Sequence, residues 1–333
     1  MTRKQKISLV VTVLNEQTSI KKLLISLLNQ SFVPSEIIII DAGSSDKTLQ
    51  IIKSFKSKNI KLIVKSGISR SKARNLGVGL AKENIIAMTD AGCVAKKNWL
   101  ENLAKPFLKN ENNSKSLVVA GFYDMVPTFS KRDIRHNLQE CFTVFLGTLP
   151  RDFDKNTFLP STRSIAFTKA AWKKADGFPT FLNDTAEDTM FNQKLIENAI
   201  EIKRIKNARV EWSMPENISV FFTKIKKYAK GDIKSKVIYS QAKGIESHNI
   251  KVILVLTRYI VGGGIFLFSV FGFVSPFVFV GLFSIYLFFA FLKVFLKTNK
   301  RVEIAVWGPV VQIMCDLAVM LGFAEGIMEQ WAT

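Results

Sequence analysis

The chain has 333 residues, of which 48% are apolar and 27 are phenylalanine, and its formal net charge is +20. That length suits one α/β domain of roughly 200–250 residues with something added, and the charge calls for an anionic partner. Cys93, Cys141 and Cys315 lie far apart and His136 and His248 are isolated, which excludes a disulfide framework and a Cys/His zinc site and fits a reducing, cytoplasm-facing catalytic part. Nucleic acid is excluded as a partner because the lysines are diffuse and no nucleic-acid motif accompanies them.

The basic start Met1–Lys6 followed by "ISLVVTVL" (7–14) imitates a signal peptide. The apolar run is too short, meets Asn15 and Glu16, and has no small-residue cleavage site after it, so it reads as a first buried strand. "QTSIKKLLISLLNQ" (17–30) places Ile20, Leu23, Leu24, Leu27 and Leu28 at helical spacing. "EIIIIDA" is a second buried strand, "DKTLQIIKSFKS" a second helix, "IKLIV" a third strand, "SRSKARNLGVGLAK" a third helix and "NIIAMTD" a fourth strand. "NWLENLAKPF" and "SLVVAGFY" add a helix and a strand. This alternation predicts a doubly wound, mostly parallel sheet. The "GVG" at 77–79 lies inside a helix and is not a dinucleotide fingerprint.

Between 125 and 215 the pattern loosens: "STRSIAFTKAAWKKADGF" reads as a strand, a short helix and a turn, "AEDTMFNQKLIENA" as a helix with acids at its start, and "EIKRI" and "ARVEWSM" as two short strands. From 216 to 250 an amphipathic segment carries Ile218, Phe221, Phe222, Ile225 and Tyr228 on one face, with Lys224, Lys226, Lys227 and Lys230 mostly around the rest. Such a helix suits a membrane interface. Residues 252–271 and 277–296 are each about one bilayer long. Ser275 and Pro276 join them in a tight hairpin. Their charges, Arg258 and Lys293, lie near the ends that face basic flanks: Lys243 and Lys251 on one side, Lys297, Lys300 and Arg301 on the other. The positive-inside rule puts the catalytic part in the cytoplasm of a multi-pass inner-membrane protein. A weaker third segment, 304–323, carries Pro309, Gln312 and Asp316 and reads as a third span or as a re-entrant or interfacial helix. Asp316 needs a partner there, and Arg258 is the opposite charge at hand. Gly322 and Gly326 suit close helix packing.

Chemistry concentrates where strands end. Asp41 closes the second strand and is followed by Ala-Gly-Ser-Ser; Thr12, Asn15 and Glu16 sit at the end of the first; Asp90 ends the fourth. Ligands of α/β sheets bind at that carboxyl edge. Small residues let a ligand approach the backbone, and Asp41 can accept hydrogen bonds from a base or ribose; Asp46 reads as a helix cap. Arg70 and Arg74 share a face of the third helix behind the candidate cap Ser69, a place suited to a pyrophosphate.

"VTVLNE", "EIIIIDAGSSDKT", "ARNLG", "TDAGC" and "AEDTMFNQKL", in this order and spacing, resemble the family 2 inverting glycosyltransferases with the GT-A fold. The resemblance covers roughly 7–215. It implies a nucleotide-diphospho-sugar-binding catalytic domain over 1–215, followed by juxtamembrane helices over 216–250 and a membrane domain over 251–333. By it, Thr12, Asn15, Glu16, Asp41, Arg70, Arg74 and Asp90 bind the nucleotide-sugar, Asp90 as first acid of the D-x-D motif holds a divalent cation (Mg2+ or Mn2+), and Asp188 of the Glu187-Asp188 pair is the general base. Glu187 would orient the acceptor or assist, and Ser161, Thr162 and Arg163 are candidate acceptor-binding residues. Two departures stand out: Gly92 replaces the last acid of D-x-D, and Leu14 stands where many relatives place an aromatic against the base. No Q-x-x-R-W motif follows Asp188, which disfavours processive polymer synthesis. The expected acceptor is lipid-linked, a polyprenyl-anchored glycan hydroxyl beside an anionic membrane. The alternatives are transfer to the polyprenyl phosphate itself, as in dolichol-phosphate mannose synthase relatives, a nucleotidyltransferase, and a degenerate membrane scaffold.

Overall fold

The computed structural model describes residues 6–108, 115–181, 185–235 and 248–331. Strand β1 (Ile7–Val13), helix α1 (Ile20–Leu28), β2 (Glu36–Asp41), α2 (Thr48–Ser54), β3 (Ile60–Val64), α3 (Arg70–Leu80) and β4 (Ile85–Met88) alternate in chain order. Every residue of β2 is buried, and all of β1 except Thr12. Side chains of β1 and β2 point alternately to two covered faces, which is why both strands read as unbroken apolar runs. The β1 strand pairs in parallel with β2 and β4, and β2 with β3. Val13 stands opposite Asp41, so the polar residues that close both strands share one edge. The glycines inside α3 include one with a packing reason: a Cβ on Gly77 would stand 2.4 Å from Val10 Cγ1.

The chain continues with β5 (Cys93–Ala95), α4 (Trp99–Leu108), β6 (Leu117–Val126), α5 (Ile134–Leu146), β7 (Ile165–Thr168), α6 (Lys169–Lys174), α7 (Glu187–Glu197) and β8 (Glu201–Ser213). One mixed sheet results, in the order β3-β2-β1-β4-β7-β6-β8-β5. Its β3-β2-β1-β4 half is parallel; β7 pairs antiparallel with β4 and β6, and β5 with β8. The two short strands expected after α7 are one, because exposed Lys206 and Asn207 keep the chain extended where it faces solvent and neither makes a turn. A core of Val10, Ile38, Ile40, Phe167, Phe178 and Phe191 joins the sheet to the helices on one face.

The described residues pack as two compact units. The first comprises 6–124 and 150–213 and holds nearly all of the sheet; the second comprises 125–149, 214–235 and 248–331. In the second, α5 is joined by α8 (Ile218–Lys234), α9 (His248–Val270), α10 (Pro276–Lys297), α11 (Val302–Ala305) and α12 (Gly308–Trp331). Among the described residues, three segments are long and apolar enough to cross a membrane: Ile253–Val270, Pro276–Lys297 and Val302–Trp331. Gly272, at φ +77, lies in the turn after α9, and Pro276 opens α10 with its fixed φ. Asp316, 2% exposed, takes Arg258 as its ion-pair partner, as the sequence suggests. It also accepts the Tyr286 hydroxyl at 2.7 Å and Gln312 Nε2 at 2.9 Å, so three long helices meet on one carboxylate.

Asn217 caps α8 by accepting the Val220 N–H at 3.0 Å. The apolar stripe of α8 is covered in part by protein: Phe221 and Ile225 are buried, with Phe221 stacked on Phe142 of α5 at 4.2 Å, and Ile218, Phe222 and Tyr228 are half-buried. Gly322 and Gly326 of α12 make room for α8: a Cβ on Gly322 would stand 2.2 Å from the Lys226 carbonyl oxygen. Lys243 and the stretch 236–247 lie outside the described residues, as do residues 1–5 of the basic start and the side chains of His248 and Lys251.

Candidate active site

The ends of β1 and β2 build a ledge of stitched loops. Asp41 is fully buried; its Oδ1 accepts the N–H groups of Gly43 and Ser44, both at 2.9 Å, and its Oδ2 accepts the Ser44 hydroxyl at 2.6 Å. Gly43 is at φ +105, a conformation that favours glycine, and a Cβ there would crowd Ser66 at 3.0 Å. The Asn15 N–H donates to Ser44 Oγ at 2.9 Å, and Asn15 Oδ1 accepts the Ser45 N–H at 2.9 Å. The Glu16 N–H reaches Thr48 Oγ1 at 2.7 Å, and Asp46 accepts the N–H groups of Thr48 and Gln17 at 2.9 and 3.1 Å. Thr12 is half-buried at the end of β1. Buried strands thus end on carboxylate and amide groups because those groups close the loops that follow.

The second element is an arginine hub. Ser69 caps α3, accepting the Lys72 N–H, and Arg70 and Arg74 follow on one face. Arg74 is 2% exposed. Its Nη1 donates to Glu187 Oε1 at 2.5 Å, and its Nη2 donates to Asp90 Oδ1 at 3.0 Å and Thr162 Oγ1 at 2.9 Å. Its guanidinium also lies 5.5 Å from the Phe178 ring centroid. The side chain of Arg70 is 53% exposed and its Nη1 stands 3.5 Å from the same Glu187 oxygen. One guanidinium therefore gathers the end of β4, the start of α7 and the 160–164 strap.

The strap is fixed in turn. Pro160 O accepts Asn192 Nδ2 at 2.7 Å, Ser161 Oγ accepts Arg163 Nη1 at 3.0 Å, and Ser164 Oγ donates to the Ala208 carbonyl at 2.9 Å. The Arg163 guanidinium lies over Trp212 at 3.9 Å and Tyr123 at 5.0 Å. Sequence reasoning missed Tyr123, Phe178 and Trp212; an aromatic that stacks on an arginine many positions away leaves no local signal. The acid pair opens α7 directly after Ala186, whose φ of 66° is left-handed. Asp188 is half-buried and its Oδ1 accepts the Thr189 N–H at 2.9 Å.

Electrostatics set the two acids apart. Burial raises the Asp188 carboxyl above the usual aspartate range and the Glu187 charge adds to it, with Arg163 and Arg74 pulling the other way. Burial also opposes ionisation of Glu187 and Asp90. For Glu187, Arg74 and Arg70 outweigh it and hold the carboxyl low; for Asp90, Arg74, Arg163 and Arg70 do the same. Adjacent carboxyls pushed apart in this way suit different tasks: Asp188 for taking a proton, Glu187 and Asp90 for holding positive charge.

At the D-x-D position a metal ion would find one carboxylate, and the neighbouring Glu187 is engaged by Arg74. Asp90 is already bonded to Arg74, and Gly92 offers no side chain where a Cβ would meet open space. Among the described residues no group of three or more His, Cys, Asp or Glu could hold a metal. This donor set fits a hard divalent cation only when substrate phosphates and water complete its shell.

Residues 8–173 match the family model described as Glycosyl transferase family 2. An uncharacterized glycosyltransferase of Haemophilus influenzae is 30% identical over 109 residues, 32% of this chain and 34% of the relative, so the match spans about a third of that relative's length. A Methanococcus voltae protein named dolichyl N-acetyl-alpha-D-glucosaminyl phosphate 3-beta-D-2,3-diacetamido-2,3-dideoxy-beta-D-glucuronosyltransferase is 22% identical over 335 residues, covering 97% of each chain. In fold, the chain is similar to mannosyltransferase PcManGT from Pyrobaculum calidifontis, solved in complex with GDP-Man and Mn2+, with a TM-score of 0.59 at 14% identity over 93% of this chain and 87% of that one.

Proposed function

This chain belongs to glycosyl transferase family 2, and on that premise we propose that it moves a sugar from a nucleotide-diphospho-sugar to a hydroxyl of a lipid-linked acceptor at the cytoplasmic face of a membrane, with inversion at the anomeric carbon. The observation that carries the reading is the Arg74 hub, because it binds the strand-end acid Asp90 and the acid-pair residue Glu187 through one buried guanidinium.

Asp188 acts as general base. It takes the proton from the acceptor hydroxyl as that oxygen attacks, and its raised pKa brings it closer to the operating pH. Glu187 stays ionised and anchors Arg74, which keeps the start of α7 in register with Asp90. Thr12, Asn15 and Glu16 form the ledge for the nucleoside, beside the loop that buried Asp41 holds in shape. Arg70, half-exposed on the first turn of α3, meets the leaving diphosphate together with the helix N-terminus. A divalent cation, held jointly by Asp90 and the donor phosphates, would neutralise charge on the leaving group. Arg163 faces the acceptor from the strap, and Ser161 and Thr162, both buried, support Arg163 and Arg74 from behind.

The lipid-linked acceptor is supported by the Methanococcus voltae relative, whose name carries a dolichyl sugar phosphate and which matches nearly end to end, and by the three long apolar helices. The test is a donor screen on membranes carrying the protein, with and without Mg2+ or Mn2+, the products read by mass and anomeric configuration. Release of a nucleoside diphosphate with an inverted product supports the reading. No transfer from any nucleotide-sugar, or release of pyrophosphate instead, sinks it.

A further inference from the structure

We propose that α12, although long and apolar enough to cross a bilayer, lies along the cytoplasmic face as a partner of α8, so that α9 and α10 are the segments that cross. The inference rests on the reading above that the catalytic unit is cytoplasmic and the α9–α10 hairpin spans.

The ends of α12 carry the first argument. Its start follows α10 through the basic stretch Lys297–Arg301, on the side where α10 leaves the membrane. Its end is held by α8: Lys226 Nζ lies 2.8 Å from Glu325 Oε1, and Lys230 and Lys234 both pair with Glu329. Only four residues link the end of β8 at Ser213 to the start of α8 at Ile218, too few to cross a bilayer. Its lysines would cost several kcal/mol in hydrocarbon. Both ends of α12 therefore belong to one side.

The two halves of α12 have different partners. Its first half touches α10, with Gly308 against the Ala290 carbonyl, Gln312 at 3.3 Å from Lys293 and Asp316 at 2.7 Å from Tyr286, whereas its second half packs on α8 through Gly322 and Gly326. Its faces are also divided. Val311, Cys315, Ala318 and Gly322 are buried against protein, whereas Val310, Leu317, Leu321 and Met328 form an exposed apolar stripe. A helix with one face on protein and an open apolar face flanked by charge suits the boundary between headgroups and acyl chains, and lipid is the occupant we assign to that stripe.

The experiment labels single-cysteine positions with a membrane-impermeant maleimide in right-side-out and inverted vesicles containing the full chain. The substitutions are Lys155→Cys in the catalytic unit, Phe273→Cys in the hairpin turn and Trp331→Cys at the end of α12; the native thiols are buried. Labelling of Lys155→Cys and Trp331→Cys only in inverted vesicles, and of Phe273→Cys only in right-side-out ones, is expected. Labelling of Trp331→Cys from the Phe273 side overturns the inference while leaving the hairpin intact. Labelling of Phe273→Cys from the Lys155 side removes the hairpin, and the inference with it. Should lipid shield Trp331, a reporter joined after Thr333 reads the same side: fluorescence of GFP supports the inference and activity of alkaline phosphatase opposes it.

Discussion

A buried arginine organises one unit of this molecule and a buried aspartate organises the other. Arg74 gathers Asp90, Glu187 and Thr162; Asp316 gathers Arg258, Tyr286 and Gln312. The difference lies in the charges that each brings together. Around Asp316 three helices bring neutral and cationic groups to one carboxylate, although the Arg258 side chain stays 43% exposed. Around Arg74 charges of both signs crowd together: Asp90, 31% exposed, Arg70, 53% exposed, and Asp188, pushed up by burial and by the Glu187 charge, all stand round the hub. The cluster around Asp316 locks helices together. The one around Arg74 keeps charge available for a ligand, at the cost of holding like charges close.

The comparison can be broken most decisively at Asp188. Asp188→Asn should lower turnover by about 10²–10⁴-fold while leaving nucleoside diphosphate affinity unchanged, measured by product formation and by calorimetric titration. A loss of only a few-fold would move the acceptor from a hydroxyl to an oxygen that is already anionic. Next in size, Arg74→Met strands Glu187 as a buried charge and should cost roughly 3–5 kcal/mol, read as a large drop in the melting point of the full chain in detergent. Adding Glu187→Gln should restore part of that stability. Asp316→Asn should cost less, about 1–2 kcal/mol, because the half-exposed Arg258 lies near the end of its apolar segment and can turn its charge to the headgroups, with transfer activity at low temperature kept. If it abolished transfer instead, the two clusters would not be functionally distinct. The smallest effect concerns pH. Because Asp188 is pushed up by burial and by Glu187, and the proposed general base would act only when ionised, kcat/KM should fall on acidification at a pH above the ordinary aspartate value of about 3.9. Arg163→Met removes a positive neighbour and should move that limb upward.

Much of this was legible in the order of residues. Buried strands in a parallel half-sheet must be apolar on both faces, so β1, β2 and β4 announce themselves, and the polar residues that end them mark the sheet edge. Arg258 and Asp316 could be paired because a charge inside an apolar segment has few partners available. What stayed hidden depends on contacts between distant parts of the chain. The stripe of Phe221, Ile225 and Ala229 has the same period whether lipid or protein covers it, and only the glycines of α12, a hundred residues on, decide for protein. Arg74 reads as a helix-face cation suited to a phosphate; its three partners come from three other segments. The aromatic bed of Arg163 is supplied by β6 and β8, whose rings look like ordinary core residues in the sequence.

The left-handed backbone at Ala186 has a consequence for how far this protein could be improved. A residue with a Cβ pays about 1–2 kcal/mol to sit there, and glycine would not. Ala186→Gly should therefore raise thermostability while letting the first turn of α7 wander and slowing turnover. Durability and speed would pull against each other at that single methyl group.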